Sequence, residues 1–244
     1  MYHKEAFQYK QTIVTILADK AEFIDIAKEE ILKSRLTIEN YIARHPFFEA
    51  TLEGYDFDES APPLIQEMIK AANVFDIGPM STVAGVIAGA AVEKMKECGA
   101  TFALVDNGGD MAIYNTGDKP TVVGVYAGTG ADSISNLGFS VPPSGDILGI
   151  CTSSGTVGPS ISFGKADAAI IFSKNPTLAD AAATALGNAL KETGAKNIEK
   201  ALLVVSNIEG IEGAVLIQGG DIGFVGNVPE LVKANVDYDI ITKG

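Results

Sequence analysis

The stretch "TFALVDNGGDMAIYNTGDKPTVVGVYAG", Thr101 to Gly128, decides how this chain folds. Apolar and β-branched residues run through Phe102–Val105, Asp110–Tyr114 and Val122–Tyr126, separated by Asn107-Gly108-Gly109 and Thr116-Gly117-Asp118. Short runs joined by glycine-bearing turns read as antiparallel strands and hairpins, not as parallel strands that need long crossovers. Further strands are expected at Leu137–Val141, Leu148–Thr152 and Ala168–Phe172, and "GAVLIQGGDIGFVG", Gly213 to Gly226, reads as a closing hairpin.

The helical signals lie outside these runs, in clusters. "QTIVTILAD" supplies one strand over Thr12–Leu17, and then Ile24, Ala27, Ile31, Ile38 and Ile42 recur at helical spacing from Lys20 to about Ala43. His45-Pro46 ends that helix, because the residue before proline avoids the helical region. After an acidic surface connection from Glu53 to Pro63, Leu64, Ile65, Met68, Ile69 and Ala72 mark a second amphipathic helix. A third begins after Gly78-Pro79 and runs to about Glu97. Thr177 is expected to cap a fourth that ends near Glu192, before Gly194. Clustered helices and strands predict an α+β fold with mixed or antiparallel sheets and segregated helices.

With 244 residues and 47% hydrophobic content, the chain can bury a substantial core as a single domain over 1–244, or as two intimately packed halves. A formal charge of -13 with no basic block disfavours nucleic acid and anionic membranes as partners. "VAGVIAGAAV", Val83 to Val92, is half of the roughly 20 residues a membrane span needs and is read as a buried helix. The polar start "MYHKEAFQYKQ" does not resemble a signal peptide, so a cytoplasmic protein is expected. Two cysteines and two histidines are too few for a disulfide framework or a histidine-rich metal centre.

Three constellations could carry chemistry. In "TLADAAATALGN", Asp180 and Thr184 share one helix face and offer hard oxygen ligands suited to magnesium. The alternative is an aspartate in the first turn of its helix serving the helix dipole. In "DNGGD", Gly108 and Gly109 permit close approach of backbone to a ligand, flanked by the carboxylates of Asp106 and Asp110, although a plain hairpin explains the same letters. In "GICTSSGTVGPSISFGKAD", Gly149 to Asp167, Ser153, Ser154, Gly155 and Thr156 suit a diphosphate cradle or an ordinary turn. Without a nearby histidine, serine catalysis has little support there. Cys151 could react alone if amide N–H groups or Lys165 lowered its pKa, or it could be a small core residue.

Taken in order, "GPMSTVAGVIAGAAVEKMKECGATFALVDNGGD", "ICTSSGTVGPSISFGKADAAIIF" and "LADAAATALGN", with the N-terminal "YKQTIVTILAD" and "IENYIARHPFF", resemble the ApbE-like proteins of anaerobic microbes over most of the chain. That group is a distant relative of ApbE, the FAD:protein FMN transferase. The resemblance implies a T-fold-like architecture that binds FAD or FMN and uses Mg2+ to cleave the FAD diphosphate and pass FMN to an acceptor protein. It assigns the metal to Asp180 and Thr184, with the carbonyl of Ala84 helping, and aligns the ApbE Gly-Gly-Asp turn with Gly108, Gly109 and Asp110. Asp110 then positions the ion or acts as base, and Ser153, Ser154, Gly155 and Thr156 hold phosphate. The pattern departs in four places: Gly85 stands where ApbE has a lysine, Pro159 where it has a histidine and Ser162 where it has an aspartate, and the N-terminal flavin-binding part of ApbE is not recognisable in residues 1–60. Some members of the group are associated with sulfide assimilation and homocysteine formation, which implies a second role, with Cys151 accepting sulfur as a persulfide. A homo-oligomer is compatible with either role.

Overall fold

The computed structural model describes residues 2–124, 137–154 and 164–234. The chain opens with a hairpin, β1 (His3–Tyr9) and β2 (Thr12–Ala18), followed by α1 (Ala21–Arg44), a single turn α2 (Phe47–Ala50) and α3 (Pro63–Asn73). A 3-10 turn at Pro79–Thr82 leads into α4 (Val83–Glu97), then strands β3 (Phe102–Asn107), β4 (Asp110–Asn115), β5 (Thr121–Gly124), β6 (Leu137–Val141), β7 (Ile147–Ser153) and β8 (Ala168–Ser173). The last elements are α5 (Pro176–Ala189), α6 (Ala195–Leu202) and strands β9 (Ile211–Gln218), β10 (Asp221–Gly226) and β11 (Glu230–Lys233).

Every described strand pairing is antiparallel. One sheet has eight strands in the order β1-β2-β3-β4-β7-β8-β9-β10, and a second has three in the order β11-β6-β5. Strand alternation sorts the large sheet's side chains onto two faces. Ala103, Val105 and Ala112 pack beneath α1, α3 and α4, while Cys151, Ala169, Ile171, Ala214 and Leu216 pack beneath α5 and α6. The other face, carrying Phe102, Leu104, Ile113, Ile170 and Phe172, meets Val123, Phe139 and Val141 of the small sheet. There Phe139 and Phe172 pack edge to face with centroids 5.0 Å apart. The result is three layers, with helices, large sheet and small sheet stacked in turn.

Two glycines bring the helices unusually close to each other and to the sheet. A Cβ at Gly85 of α4 would stand 2.5 Å from the Pro176 carbonyl and 2.7 Å from the Asp180 Cβ, both on α5. A Cβ at Gly149 of β7 would stand 2.5 Å from the Pro176 Cα. Pro176 is thus wedged between α4 and the sheet, which fixes where α5 begins and which of its side chains face α4.

The structure moves several predicted boundaries. The expected strand Val122–Tyr126 is described as Thr121–Gly124, its last two positions lying outside the described residues. The cap of α5 is Asn175, whose Oδ1 accepts from Leu178 N at 2.9 Å. Thr177 instead donates its hydroxyl to Glu67 of α3. The helix also stops at Ala189, three residues before the predicted end. The expected helix over Val83–Val92 is present with Val86, Ile87, Ala88, Ala91 and Val92 buried. Among the described residues no helix is long and apolar enough to cross a membrane.

Candidate functional site

The β3–β4 hairpin, the start of α4, the end of β7 and one face of α5 meet at a cleft of about 510 Å³. Ala84, Gly108, Asp110, Ser153, Asp180 and Thr184, six of the residues singled out in the sequence, line it together. Gly108 and Gly109 form a two-residue hairpin turn with φ of 70 and 102, between the paired residues Asn107 and Asp110. Positive φ at both central positions is the geometry that matches strand twist. The plain hairpin reading of "DNGGD" is therefore correct, and the same turn holds Asp110 at the cleft.

Asp180 is the fifth residue of α5, beyond its first turn, so it does not serve its own helix dipole as the sequence suggested. Its buried carboxylate reaches across to α4, where Oδ2 accepts from Gly85 N at 2.8 Å. Free N–H groups at a helix start welcome a carboxylate. Burial still dominates and pushes the Asp180 pKa up to about 7, against those amide hydrogen bonds.

Asp110 is half-buried, and its Oδ1 accepts from Thr152 N at 3.2 Å. Desolvation raises its pKa well above its ordinary value, and repulsion from Asp180 adds to the rise. Among the described residues no lysine, arginine or histidine forms an ion pair with either group. Two neighbouring carboxylates without a cation disfavour their shared ionised state, and a bound cation would relieve that.

The described residues contain no cage of three or more His, Cys, Asp or Glu side chains. Asp110, Asp180 and the hydroxyl of Thr184, one turn along α5, form an oxygen-only donor set. Such a set fits a hard divalent ion that takes one or two carboxylates from the protein and its other ligands from water and substrate. The Ala84 carbonyl is less suitable than the sequence suggested. It belongs to the hydrogen-bond ladder of α4, and Asn107 Nδ2 donates to it at 3.2 Å, which engages both lone pairs.

Cys151 lies behind the cleft, fully buried. Its Sγ is 3.5 Å from the Pro176 carbonyl, and burial and the Asp110 and Asp180 charges push the thiol well above its ordinary pKa. Of the two readings the sequence leaves open for Cys151, this enclosure fits the small core residue, since a neutral, buried thiol is a poor nucleophile and a poor sulfur acceptor. Ser153 lines the cleft, whereas Gly109 and Ser154 do not contribute to its wall. Gly155, Thr156, Pro159 and Ser162 lie outside the described residues. Sequence reasoning missed Asn107, which buttresses the start of α4, and Arg35 of α1, which reaches the same cleft. Arg35 stands among the alternating charges of a helix surface, and nothing in its neighbours marks it out.

A family model described as AbpE bacteria matches residues 3–222. The chain belongs to this family. The chain is 51% identical to a UPF0280 protein of Methanococcoides burtonii, over 99% of this chain and 100% of that one. It is 44% identical to a UPF0280 protein of Archaeoglobus fulgidus, over 98% of each chain. The fold is similar to that of a mutant of the flavin transferase ApbE from Vibrio cholerae, with TM-score 0.60 and 11% identity over 96% of this chain and 98% of that one. It is also similar to the ApbE protein of Thermotoga maritima, with TM-score 0.57 and 13% identity over 100% of both chains. At such identity the likeness concerns the fold alone, and in that respect the expected ApbE-like α+β architecture is the one observed.

Proposed function

We propose that this protein binds a flavin nucleotide, FAD or FMN, together with magnesium in the cleft, and that it transfers FMN or cleaves the FAD diphosphate. The observation that carries this reading is the pairing of Asp110 and Asp180, two carboxylates with raised pKa values and, among the described residues, no cationic side chain paired to either, beside the Thr184 hydroxyl. Asp180 and Thr184 would hold the ion. Bound magnesium supplies charge neutralisation on the diphosphate oxygens. Ser153 and the backbone of the Gly108 turn offer donors for phosphate oxygens at the cleft wall. With the cation bound, the Asp110 carboxylate at the cleft wall would take the proton of the attacking hydroxyl, from an acceptor protein's threonine or serine or from water.

The test is incubation of the purified chain with FAD and magnesium, with and without candidate acceptor proteins. Release of AMP with flavin retained on an acceptor supports transfer, and release of AMP with free FMN supports hydrolysis. If neither occurs, the catalytic part of the reading is wrong.

Gly85 favours a second reading, in which the chain binds the nucleotide without turning it over. Position 85 cannot present a lysine to the cleft while α4 and α5 stay in contact, because the first atom of any side chain meets Pro176 and Asp180. FAD that raises thermal stability with magnesium but yields no AMP fits that reading.

A further inference from the structure

The α1 wall of the cleft carries a group that the carboxylate corner does not use. Arg35 is the only lysine or arginine among the described residues that line the cleft, in a chain of formal charge -13. Its side chain is 13% exposed. Nη2 donates to Glu39 Oε1 at 3.1 Å and to Gln11 Oε1 at 3.3 Å, whereas Nε is buried and has no acceptor. Glu39 does not neutralise this arginine alone, since its Oε2 also accepts from Lys10 Nζ at 2.7 Å. Two cations therefore share one carboxylate, and the α1 wall keeps a positive excess. Glu49, the one other acid among the described lining residues outside the carboxylate corner, is solvent-exposed.

A guanidinium that is mostly enclosed and still holds an unused N–H is poised for one more acceptor, since buried donors are rarely left unpaired. Its fixed charge and the unused Nε–H suit a charge-assisted hydrogen bond to a phosphate oxygen, in a direction a lysine ammonium does not reproduce. We propose that Arg35 binds a phosphate group of the cleft's ligand and sets its preference for phosphorylated over unphosphorylated molecules. The cleft is then bipolar, with a cation-binding corner at Asp110 and Asp180 and an anion-binding wall at Arg35. The identity of the ligand as a flavin nucleotide rests on the function proposed above, but the phosphate chemistry of Arg35 does not.

The experiment uses the full chain, Arg35→Met, which keeps an apolar stem, and Arg35→Lys, which keeps charge without the Nε–H donor. Thermal stability is followed with magnesium alone and with magnesium pyrophosphate, and affinities for FMN and riboflavin are measured by flavin fluorescence. Pyrophosphate should raise the melting temperature of the parent chain, should have little effect on Arg35→Met, and should act to an intermediate degree on Arg35→Lys. The parent should prefer FMN over riboflavin by about tenfold or more, and Arg35→Met should lose that preference with riboflavin affinity unchanged. Should either variant fold poorly, pyrophosphate must slow modification of Arg35 by an arginine-specific dicarbonyl reagent in the parent chain, read by peptide mapping. A pyrophosphate response that persists in Arg35→Met overturns the proposal, as does a parent with no pyrophosphate response or equal loss of FMN and riboflavin. If no flavin binds while the pyrophosphate response depends on Arg35, the flavin reading fails and this one stands.

Discussion

Asp180 Oδ2 accepts a hydrogen bond from Gly85 N at 2.8 Å across 95 residues of sequence, so α5 supplies the carboxylate that the start of α4 lacks. This contact exists only because position 85 has no side chain. Gly85→Ala is expected to force the helices apart, with a destabilisation of about 1–3 kcal/mol as for other overpacked cores. Urea unfolding should show a lower midpoint, and any magnesium-dependent ligand affinity should fall with it because Asp180 moves.

The carboxylate pair predicts how the metal-free protein responds to pH. The Asp180 pKa rises from its ordinary 3.8 to about 7 on folding, and Asp110 moves in the same direction. The folded state therefore holds more protons than the unfolded chain across that window. Stability from these groups is fully present below the ordinary carboxylate pKa and is lost as pH rises towards and past 7. Denaturant unfolding without metal should give a smaller midpoint at about pH 8 than at about pH 5, and Asp180→Asn should flatten the difference. Magnesium should restore stability at the higher pH.

Thiol chemistry separates the two cysteines. Cys98 is exposed and Cys151 is fully buried. A thiol reagent added to the native protein should label Cys98 promptly and leave Cys151 untouched until denaturant opens the core. Prompt labelling of both would contradict the packing of β7 under α5.

The start of α5 offers a stability test. Asn175→Ala removes the side chain that accepts from Leu178 N and should cost about 1 kcal/mol. Thr177→Val removes the donor to Glu67 and loosens α5 from α3, again by about 1 kcal/mol. Circular dichroism melts of the two variants should show losses of similar size, with additivity in the double variant measuring their independence.

Much of the architecture was legible because burial imposes a period. Ile24, Ala27, Ile31 and Ile38 mark α1 since one face of it is buried, chiefly against α4, and Gly108-Gly109 marks its hairpin since both positions need positive φ. β1 was not legible: its residues are mostly exposed at a sheet edge, and no alternation survives where neither face is buried. The α6 helix escaped because its eight residues bury only Ile198, Ala201 and Leu202. In the site, Asp180, Thr184 and Asp110 could be picked out as oxygen donors, but their convergence depends on the Gly85–Pro176 contact between distant segments. The enclosed state of Cys151 is likewise a property of packing that its sequence neighbours do not encode.

The most direct test is equilibrium binding of FAD to the parent chain and to Asp180→Asn, with and without magnesium, by isothermal titration. The account predicts that the parent binds FAD, that magnesium strengthens the binding, and that Asp180→Asn loses the magnesium effect with an affinity at least about tenfold weaker. FAD that fails to bind, or that binds both chains equally and without regard to magnesium, would contradict it.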